Sequence, residues 1–364
     1  MKQKIIVTII LILAFLSGKS QIGGTGVYPF LDFTYSARIS GLGGGLIVTP
    51  IDDPSILTYN PSLISDQFHQ SFSAHFVDHF SNSAHGSALY SHTFKKAGSY
   101  AMEMRFIGYG TFEQTDDAGN ILGTFSAGDY VATLGWGRKL SPLFSIGANL
   151  KIIYSAYAEY HSFGLGADLA GTYYNSDKLF GLSLLLKNMG SQITTYTPGN
   201  YERLPFDIQL ALSKRLKYLP VCFHVSLHSL YKWEMGYVGK NDPFLSIDAI
   251  TGEAKYPSAF EQGVKNFFRH FIFGVEILPS PYFSLFASFN YHRSQEMLIP
   301  ARRTVAGLSY GFALNIKSIQ LGFARSHYAI GAAPIYINLA INFGKIREAT
   351  QQKKSLKRVK NFNE

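Results

Sequence analysis

Charged residues and cysteine are both scarce in this chain of 364 residues. Asp, Glu, Lys and Arg together make up only 16% of it, which is low for a soluble protein. The one cysteine, Cys222, cannot form an intramolecular disulfide, and we expect a buried, unreactive thiol. The glycine spacings GxGxxG and GxxxxGK are absent between a strand and a helix, so nucleotide binding is excluded.

The chain also lacks an apolar run of about 20 residues, the length that a transmembrane helix needs. The one strongly apolar run, Ile5 to Leu16, follows Lys2 and Lys4 and precedes the small residues Gly18 and Ser20. This order predicts a signal peptide over residues 1–20, cleaved before Gln21. The alternative, an uncleaved anchor helix, is disfavoured because the run is too short to span a membrane.

The net charge of +9 is concentrated at the two ends of the chain. Three lysines fall within the predicted signal peptide, and residues 345–364 hold seven basic and two acidic residues. Residues 21–344 therefore carry a net charge of +1, so we expect no nucleic-acid partner. The basic tail, residues 345–364, is either a solvated segment or a contact for a partner or an anionic surface.

Alternation of apolar and polar residues is the dominant pattern, and it is clearest near the C-terminus. Ile335, Ile337, Leu339, Ile341 and Phe343 share one face of a strand, while Tyr, Asn and Ala occupy the other. These nine residues match the roughly 9 to 11 that a tilted strand needs to cross a bilayer. The pattern fits either a membrane barrel or an ordinary β-sandwich.

The same alternation recurs often enough to predict fourteen strands, an even number as in bacterial single-chain barrels. They fall at about 70–78, 86–94, 98–110, 127–139, 143–157, 160–174, 179–188, 204–216, 221–232, 267–278, 282–293, 303–315, 318–327 and 335–343. Short links follow even-numbered strands, whereas the long links 111–126, 189–203 and 233–266 follow odd-numbered ones. Outer-membrane barrels sort their loops in this way, with short periplasmic turns, and a soluble sandwich has no reason to do so. The final strand is expected to pair with the strand near 70–78, with Phe343 at the membrane-insertion end.

Residues that could carry chemistry do not form a diagnostic pattern. His75 and His79 are four apart, which on a strand separates them by roughly 13 Å, so we expect no metal site. Ser and His are common without the spacing of a catalytic triad, so we expect neither enzymatic activity nor a cofactor. Four charged residues lie on faces opposite the apolar rows and are expected to line the lumen: Glu103, Arg105, Asp168 and Glu276.

The region before the first strand carries a recognisable motif. It runs Ser36-Ala37-Arg38-Ile39-Ser40-Gly41-Leu42-Gly43-Gly44, then Asp52-Asp53-Pro54, then Tyr59-Asn60-Pro61-Ser62-Leu63. The two Asp residues could bind a cation, but no third oxygen ligand stands at a recognisable spacing, and capping of a helical turn is favoured. The motif resembles the N-terminal motif of the PorV and PorQ group of long-chain fatty-acid transporter-like outer-membrane barrels.

The resemblance implies an all-β fold, namely a transmembrane antiparallel β-barrel of about fourteen strands whose N-terminal segment plugs the lumen. The implied division is signal peptide 1–20, plug 21–69, barrel 70–344 and basic periplasmic tail 345–364. Ser36, Ala37, Arg38, Gly41, Gly43, Gly44, Asp52, Asp53, Asn60 and Pro61 would form the plug motif. A lumen of fourteen strands is too wide to be filled by wall side chains alone, so a plug is physically reasonable.

Two functions remain open at this level. The resemblance implies an outer-membrane component of the type IX secretion system that holds a surface-exposed secretion protein, alongside other secretion components, in an attachment complex for secreted cargo. The loop 233–266 would then be the main contact, through Tyr237, Phe244 and Tyr256. The alternative is a fatty-acid-transporter-like channel in which the plug gates a path for a hydrophobic ligand. Outer-membrane lipid is a partner in both cases.

Overall fold

Fourteen antiparallel strands form a closed barrel in the computed structural model, which describes residues 26–49, 52–79, 83–236, 246–247, 254–255, 258–296, 304–347 and 350–351. Each strand pairs with its neighbours in the chain. Their bounds are β1 Ser71–Asp78, β2 Ala84–Phe94, β3 Gly98–Thr115, β4 Ile121–Lys139, β5 Phe144–Tyr157, β6 Tyr160–Asn175, β7 Phe180–Thr194, β8 Asp207–Arg215, β9 Val221–Leu227, β10 Phe271–Ser280, β11 Phe283–Asn290, β12 Leu308–Ile316, β13 Ile319–Ser326 and β14 Ile335–Asn342. The predicted antiparallel β-barrel and its number of strands are confirmed.

The barrel closes between its first and last strands, as the alternation predicts. β1 and β14 are antiparallel, with Ser71 opposite Asn342 and Asp78 opposite Ile335. Along β14, Tyr336, Asn338 and Ala340 are buried, whereas Ile337 and Leu339 are exposed. The apolar row therefore faces outward, where lipid would lie, and the row with Asn faces the lumen.

The barrel wall is much taller on one side than on the other. Strands β3 to β7 have 14 to 19 residues, whereas β8 to β14 have 7 to 10. The predicted loop 111–126 is wrong for most of its length, because β3 and β4 continue through it to the turn at 116–120. Phe112 and Phe125 stack across this extension, with ring centroids 5.4 Å apart.

The predicted loop 189–203 is wrong over its first part, because β7 continues to Thr194. Two other predicted strands are shortened by helices. The strand predicted for 267–278 begins only at Phe271, because α2, Ala259–Arg269, occupies the preceding residues. α3, Tyr291–Glu296, ends the strand predicted for 282–293. Between β9 and α2, the two-residue strands Ser246–Ile247 and Ala254–Lys255 pair outside the barrel. Among the described residues, no helix is long and apolar enough to cross a membrane.

Residues 26–49 and 52–69, which we call the plug segment, lie inside the barrel. The segment contains α1, Ala37–Gly41, and the three-ten helices Pro29–Asp32, Pro54–Ile56, Pro61–Leu63 and Asp66–Phe68. Tyr28, Tyr35 and Ile39 are at most 2% exposed and pack with inward-facing wall residues such as Ile107 and Ile153. The hydrophobic core is therefore formed between the plug segment and the wall.

Candidate functional site

The backbone of the motif at residues 36–44 forms one short helix followed by a glycine turn. The Ser36 side chain caps α1 by accepting a hydrogen bond from the Ile39 amide at 3.3 Å. Gly43 and Gly44 both have φ of +84°, a left-handed conformation that side-chain-bearing residues rarely adopt. The motif glycines thus end the helix and turn the chain along the barrel wall.

Arg38 lies at the centre of a buried charge cluster, which we call the Arg38 cluster. Its Nε donates to Asp53 Oδ2 at 2.9 Å, and its Nη1 donates to Glu276 of β10. Its Nη2 donates to Ser284 Oγ of β11 at 3.3 Å. The guanidinium carbon also lies 5.5 Å from the ring centre of Phe286. One plug side chain therefore bridges a plug carboxylate and a wall carboxylate.

The pKa of Arg38 shows how the cluster balances burial against charge pairing. Burial alone would lower the pKa of this guanidinium, but the carboxylates of Glu276 and Asp53 raise it above its ordinary value. Arg38 is 2% exposed and Glu276 is fully buried, so neither charge is stabilised by water. Removing one partner would leave an unpaired charge in the lumen.

The two Asp residues of the motif have different partners. Asp53 caps the three-ten helix Pro54–Ile56 by accepting from the Ser55 amide at 3.0 Å, so the predicted capping role is confirmed. Ser55 Oγ lies 2.7 Å from Ser36 Oγ, which joins the two parts of the motif. Asp52 is exposed and forms an ion pair with Lys345, directly after β14.

The α1 region contacts the side of the barrel that has the shorter strands, through side chains of β11 and β14. The Ala37 amide donates to Asn338 Oδ1 of β14 at 3.1 Å, and Ser288 Oγ of β11 donates to the Gly41 carbonyl at 2.9 Å. A Cβ at Gly41 would overlap the Phe286 ring. Asn290 Nδ2 donates to the Gly43 carbonyl at 3.3 Å. The motif is thus fitted to strands at the C-terminal side of the barrel.

Asn60 and Pro61 contact the opposite, tall side of the wall. Asn60 Nδ2 donates to the Ile47 carbonyl at 2.8 Å and to Ser183 Oγ of β7 at 3.1 Å. Ser62 Oγ donates to Asn60 Oδ1 at 2.6 Å. A Cβ at Gly147 of β5 would overlap the Pro61 backbone, so this wall glycine makes room for the turn. The two halves of the motif therefore attach to opposite sides of the barrel.

A second charge cluster, the Glu103 cluster, joins β3 to the plug segment. Arg105 Nε donates to Glu103 Oε2 at 2.8 Å, and Arg105 Nη2 donates to Thr58 Oγ1 at 2.9 Å. The Thr58 hydroxyl also donates to Glu103. The Arg105 guanidinium carbon lies 4.5 Å from the centre of the Tyr59 ring. Burial raises the pKa of Tyr59 to about 12, so this phenol remains neutral.

A third cluster surrounds Asp168 on the tall side of the wall. Lys151 Nζ donates to Asp168 Oδ1 and to Asn188 Oδ1, both at 2.7 Å. Asn149 Nδ2 donates to Asp168 Oδ2 at 2.8 Å and to the plug carbonyl of Thr58 at 2.7 Å. The predicted lumen-facing positions of Glu103, Arg105, Asp168 and Glu276 are all confirmed by burial.

Several polar residues of these clusters were not expected from the sequence. Thr58, Lys151 and Asn188 lie in segments with correct strand or turn predictions, but their partners are distant in sequence. His224 Nε2 lies 3.6 Å from Glu276 Oε2, beside the Arg38 cluster. The sequence does indicate that each wall residue lies on the strand face opposite an apolar row. That position predicts a lumen-facing side chain, but it does not predict the partner of that side chain.

The remaining predicted site residues are Phe343 and the three aromatic residues of the loop 233–266. Phe343 follows β14, is exposed, and its amide donates to the Gln70 carbonyl at 2.9 Å. Its role in membrane insertion remains a prediction. Tyr237, Phe244 and Tyr256 lie outside the described residues, as do the predicted signal peptide 1–20 and most of the basic tail.

Within the described ranges, no group of three or more His, Cys, Asp or Glu side chains could hold a metal ion. His75 Nδ1 lies 2.6 Å from Ser87 Oγ, and His79 stacks on His85 with ring centroids 4.4 Å apart. Cys222 is buried, as predicted. The charge pairs described above hold the plug segment in the lumen.

Comparison with known proteins identifies the fold. No protein-family model matches the chain, and no curated protein matches it. The chain is similar in structure to the toluene transporter TodX of P. putida, with a TM-score of 0.51 and 11% identity over 86% of this chain and 99% of that chain. A weaker likeness is to the monoaromatic hydrocarbon channel CymD, with a TM-score of 0.44 and 10% identity over 85% of this chain and 96% of that chain. Another is to the KdgM porin, with a TM-score of 0.30 and 7% identity over 74% of this chain and 98% of that chain. At such identity the likeness to TodX concerns the fold alone.

Proposed function

We propose that this chain is a plugged outer-membrane barrel that admits a small hydrophobic molecule. The observation that carries the proposal is the structural likeness to a toluene transporter over nearly the whole length of that protein. The transported class comes from that neighbour's name, and an apolar molecule is consistent with a lumen core rich in Tyr, Phe, Ile and Leu. The proposal therefore concerns a hydrophobic ligand without naming one.

Passage through such a barrel requires the plug segment to shift, because that segment fills the described lumen. The α1 region is attached to β10, β11 and β14, whereas Pro61 lies against β5. Motion at one attachment could open a path while the other keeps the segment in place. A crosslink between the plug segment and the wall should therefore stop transport without changing the barrel.

Uptake of labelled toluene and of a labelled long-chain fatty acid can be measured in a Gram-negative host that lacks its own hydrophobic channel. We expect uptake of at least one probe well above that of cells with an empty vector. Equal uptake with and without the chain, while the barrel is present in the outer membrane, would reject the proposal.

A disulfide lock tests the role of plug motion directly. The Ala37 Cβ lies 3.4 Å from the position of a Cβ at Gly322 of β13, close to the separation within a disulfide. Ala37→Cys with Gly322→Cys, in a Cys222→Ala background, should block uptake when oxidised and restore it after reduction. Each single cysteine variant is the matched control. Unchanged uptake by the oxidised double variant would show that this attachment does not move.

A second candidate function is the scaffold role in type IX secretion, supported by the motif. Every motif residue from Ser36 to Gly43 is buried, and Arg38 and Asp53 hold the segment to the wall in one arrangement. A plug held in this way suits a barrel that presents its long-loop end to a partner. In this case a PorQ-like barrel would hold a surface-exposed secretion protein.

Affinity purification from native membranes tests the scaffold role. The protein should recover a surface-exposed secretion protein, and deletion of residues 237–257 should abolish that recovery. This deletion keeps Ser258, which caps α2, and so spares the helix. Equal recovery by the full chain and the deletion variant would exclude the loop as the contact, and recovery of no secretion component by either would reject the scaffold role.

A further inference from the structure

Helix α2 presents its apolar side chains away from the protein. Phe260, Val264, Phe267 and Phe268 lie at positions i, i+4, i+7 and i+8, so they share one face, and all four are exposed. Phe260 is 80% exposed. On the opposite face Gln262, Asn266 and Arg269 are half-buried. A helix packed on a water-soluble protein would have the reverse orientation.

The polar face is directed toward the barrel rim. The Nε atom of Arg269 is buried, and a Cβ at Gly236 would overlap the Arg269 guanidinium. His270, directly after the helix, is buried and its Nδ1 lies 2.8 Å from the His228 carbonyl. These contacts set the rotation of α2, so its apolar face cannot turn inward without breaking them.

The apolar face of α2 is continuous with the lipid-facing surface of β10. Phe267 and Phe268 contact Phe271, with ring centroids 4.9 Å and 6.0 Å apart. Phe271 in turn stacks on Phe273, at 5.6 Å and an interplanar angle of 16°. Phe273 belongs to the exposed outward row of β10. One unbroken aromatic surface therefore runs from the barrel wall onto the helix.

We propose that α2 is an interfacial helix that lies in the outer leaflet, with Phe260, Val264, Phe267 and Phe268 in lipid. Lipid is the favoured occupant, because the aromatic surface of the helix continues onto the outward face of β10, where it faces lipid. The helix lies at the long-loop end, which is the outer side in barrels of this type. Helices of this kind place their apolar face at the boundary between headgroups and acyl chains. The proposal holds for either function above, since both need only a membrane barrel.

The ends of α2 suit a helix that folds in this position. Ser258 Oγ accepts from the Glu261 amide at 3.2 Å, and Glu261 Oε2 accepts from the Ser258 amide at 3.0 Å, which forms a capping box. Lys265 is exposed beside the apolar face, where its ammonium can reach anionic headgroups. At the other end, the helix is joined to β10 without an intervening loop.

Spin labels on the full-length chain test the proposal in vesicles of phosphatidylethanolamine and phosphatidylglycerol. Single cysteines in a Cys222→Ala background replace Val264 or Phe267 on the apolar face and Asn266 on the polar face. Labels at Phe273 and at Asp117, in the exposed β3–β4 turn, mark lipid and water. Collisions with oxygen report lipid, and collisions with a nickel chelate report water.

We expect labels at 264 and 267 to give an oxygen-to-nickel collision ratio close to that at 273 and several-fold above that at 117. The label at 266 should give a ratio well below those at 264 and 267. Water-like values at 264 and 267 would overturn the proposal. Spin–spin broadening at 267 that disappears on dilution with unlabelled protein would identify a second copy of the chain as the occupant, and would also overturn it.

A protease experiment provides a readout that does not depend on labels. Phe267→Asp with Phe268→Asp should increase trypsin cleavage after Lys265 and Arg269 several-fold in vesicles, because the helix would leave the lipid. Glu261→Gln is the matched control and should leave cleavage unchanged. Heat-modifiable gel mobility confirms that each variant retains the barrel. Unchanged cleavage in the double variant would reject the lipid contact.

Discussion

At the residue scale, the lumen is organised by charges that are buried in pairs. Arg38 pairs with Asp53 and Glu276, Arg105 with Glu103, and Lys151 with Asp168. Each cluster includes a wall residue, and each bonds directly to the plug segment. Buried pairs of this kind contribute little net stability, but they strongly disfavour arrangements that separate the partners.

Replacing Arg38 should destabilise the plug segment more than any exposed substitution. In Arg38→Met the carboxylates of Asp53 and Glu276 lose their shared cation, and we expect a loss of roughly 3–5 kcal/mol of unfolding free energy. Urea unfolding in detergent, followed by tryptophan fluorescence, measures this loss. Arg138→Met, at the exposed end of β4, is the control and should change stability little.

Neutralising the carboxylates together with Arg38 should recover much of that stability. The triple variant Arg38→Met, Asp53→Asn, Glu276→Gln removes every formal charge of the Arg38 cluster, so no buried charge remains unpaired. Equal destabilisation in the single and triple variants would show that packing, rather than charge, sets the cost.

His228 should make the rim near α2 sensitive to pH. Burial, together with the nearby His292, His270 and Arg293, lowers the pKa of His228 from 6.5 to about 3, with Glu296 acting in the opposite direction. Because the folded-state pKa is depressed, the folded state disfavours protonation. The stabilising contribution is complete above about pH 6.5 and is lost as pH falls toward the folded-state value.

Hydrogen exchange of residues 259–270 can test this sensitivity. After correction for intrinsic rates, protection should decrease from about pH 7 to about pH 5, and His228→Phe should reduce the change. His161→Phe, at an exposed position, is the control and should behave like the original chain. An identical pH response in His228→Phe would assign the effect to another group.

The sequence predicts which residues face the lumen, but not how they pair. Four charged residues lie on strand faces opposite apolar rows, and this local pattern is sufficient to assign them to the lumen: Glu103, Arg105, Asp168 and Glu276. The partner of Glu276 is Arg38, 238 positions away, and no local pattern contains such a contact. Asp53 was predictable as a cap because its partner Ser55 is two residues away.

At the element scale, strand number follows from alternation, whereas strand ends do not. Residues 111–115 and 121–126 do not alternate between apolar and polar, yet β3 and β4 pair through them and extend beyond the shorter strands on the other side of the barrel. The turn at 116–120 has a local cause that the sequence contains. Asp116 Oδ1 accepts from the amides of Ala118 and Asn120 at 3.0 Å and 2.8 Å, and Gly119 has φ of +86°.

Trimming this extension should leave the barrel intact. Replacing residues 111–125 by Asn-Gly keeps the pairing of Ser99–Gly108 with Gly128–Gly137 and supplies a tight hairpin turn. We expect normal heat-modifiable mobility on a gel. As a comparison, Leu134→Arg on the lipid-facing row should lower the free energy of unfolding by about 2–4 kcal/mol and reduce assembly of the barrel in the membrane. Loss of the heat-modifiable form on trimming alone would show that the extension is needed for folding.

At the scale of the whole molecule, the barrel is a wall of unequal height around an internal segment. Strand order and closure could be predicted because each strand pairs with its neighbours in sequence, apart from the closing pair of β1 and β14. The contacts of the plug segment could not, since they connect residues separated by up to about three hundred positions. The likeness to TodX supports the overall fold.

Deleting the plug segment should turn the barrel into a conducting pore. Without residues 26–69, the charged wall residues Glu103, Lys151, Asp168 and Glu276 would line a water-filled lumen, and fourteen strands enclose more space than wall side chains can fill. Planar-bilayer recordings should show stepwise currents for the deletion variant and much smaller currents for the full chain. A heat-modifiable deletion variant that does not conduct would contradict this prediction.

The contacts of the plug segment with β14 also constrain the order in which the chain can fold. Ala37 is bonded to Asn338, and Asp52 is paired with Lys345, so residues near the start of the chain find their partners only at its end. Contacts between such distant positions form slowly and late. The plug segment precedes all the barrel strands in the chain and therefore has to wait, undocked, until the last strand has closed the barrel. Plug docking is then a final step that only a correctly closed barrel can complete.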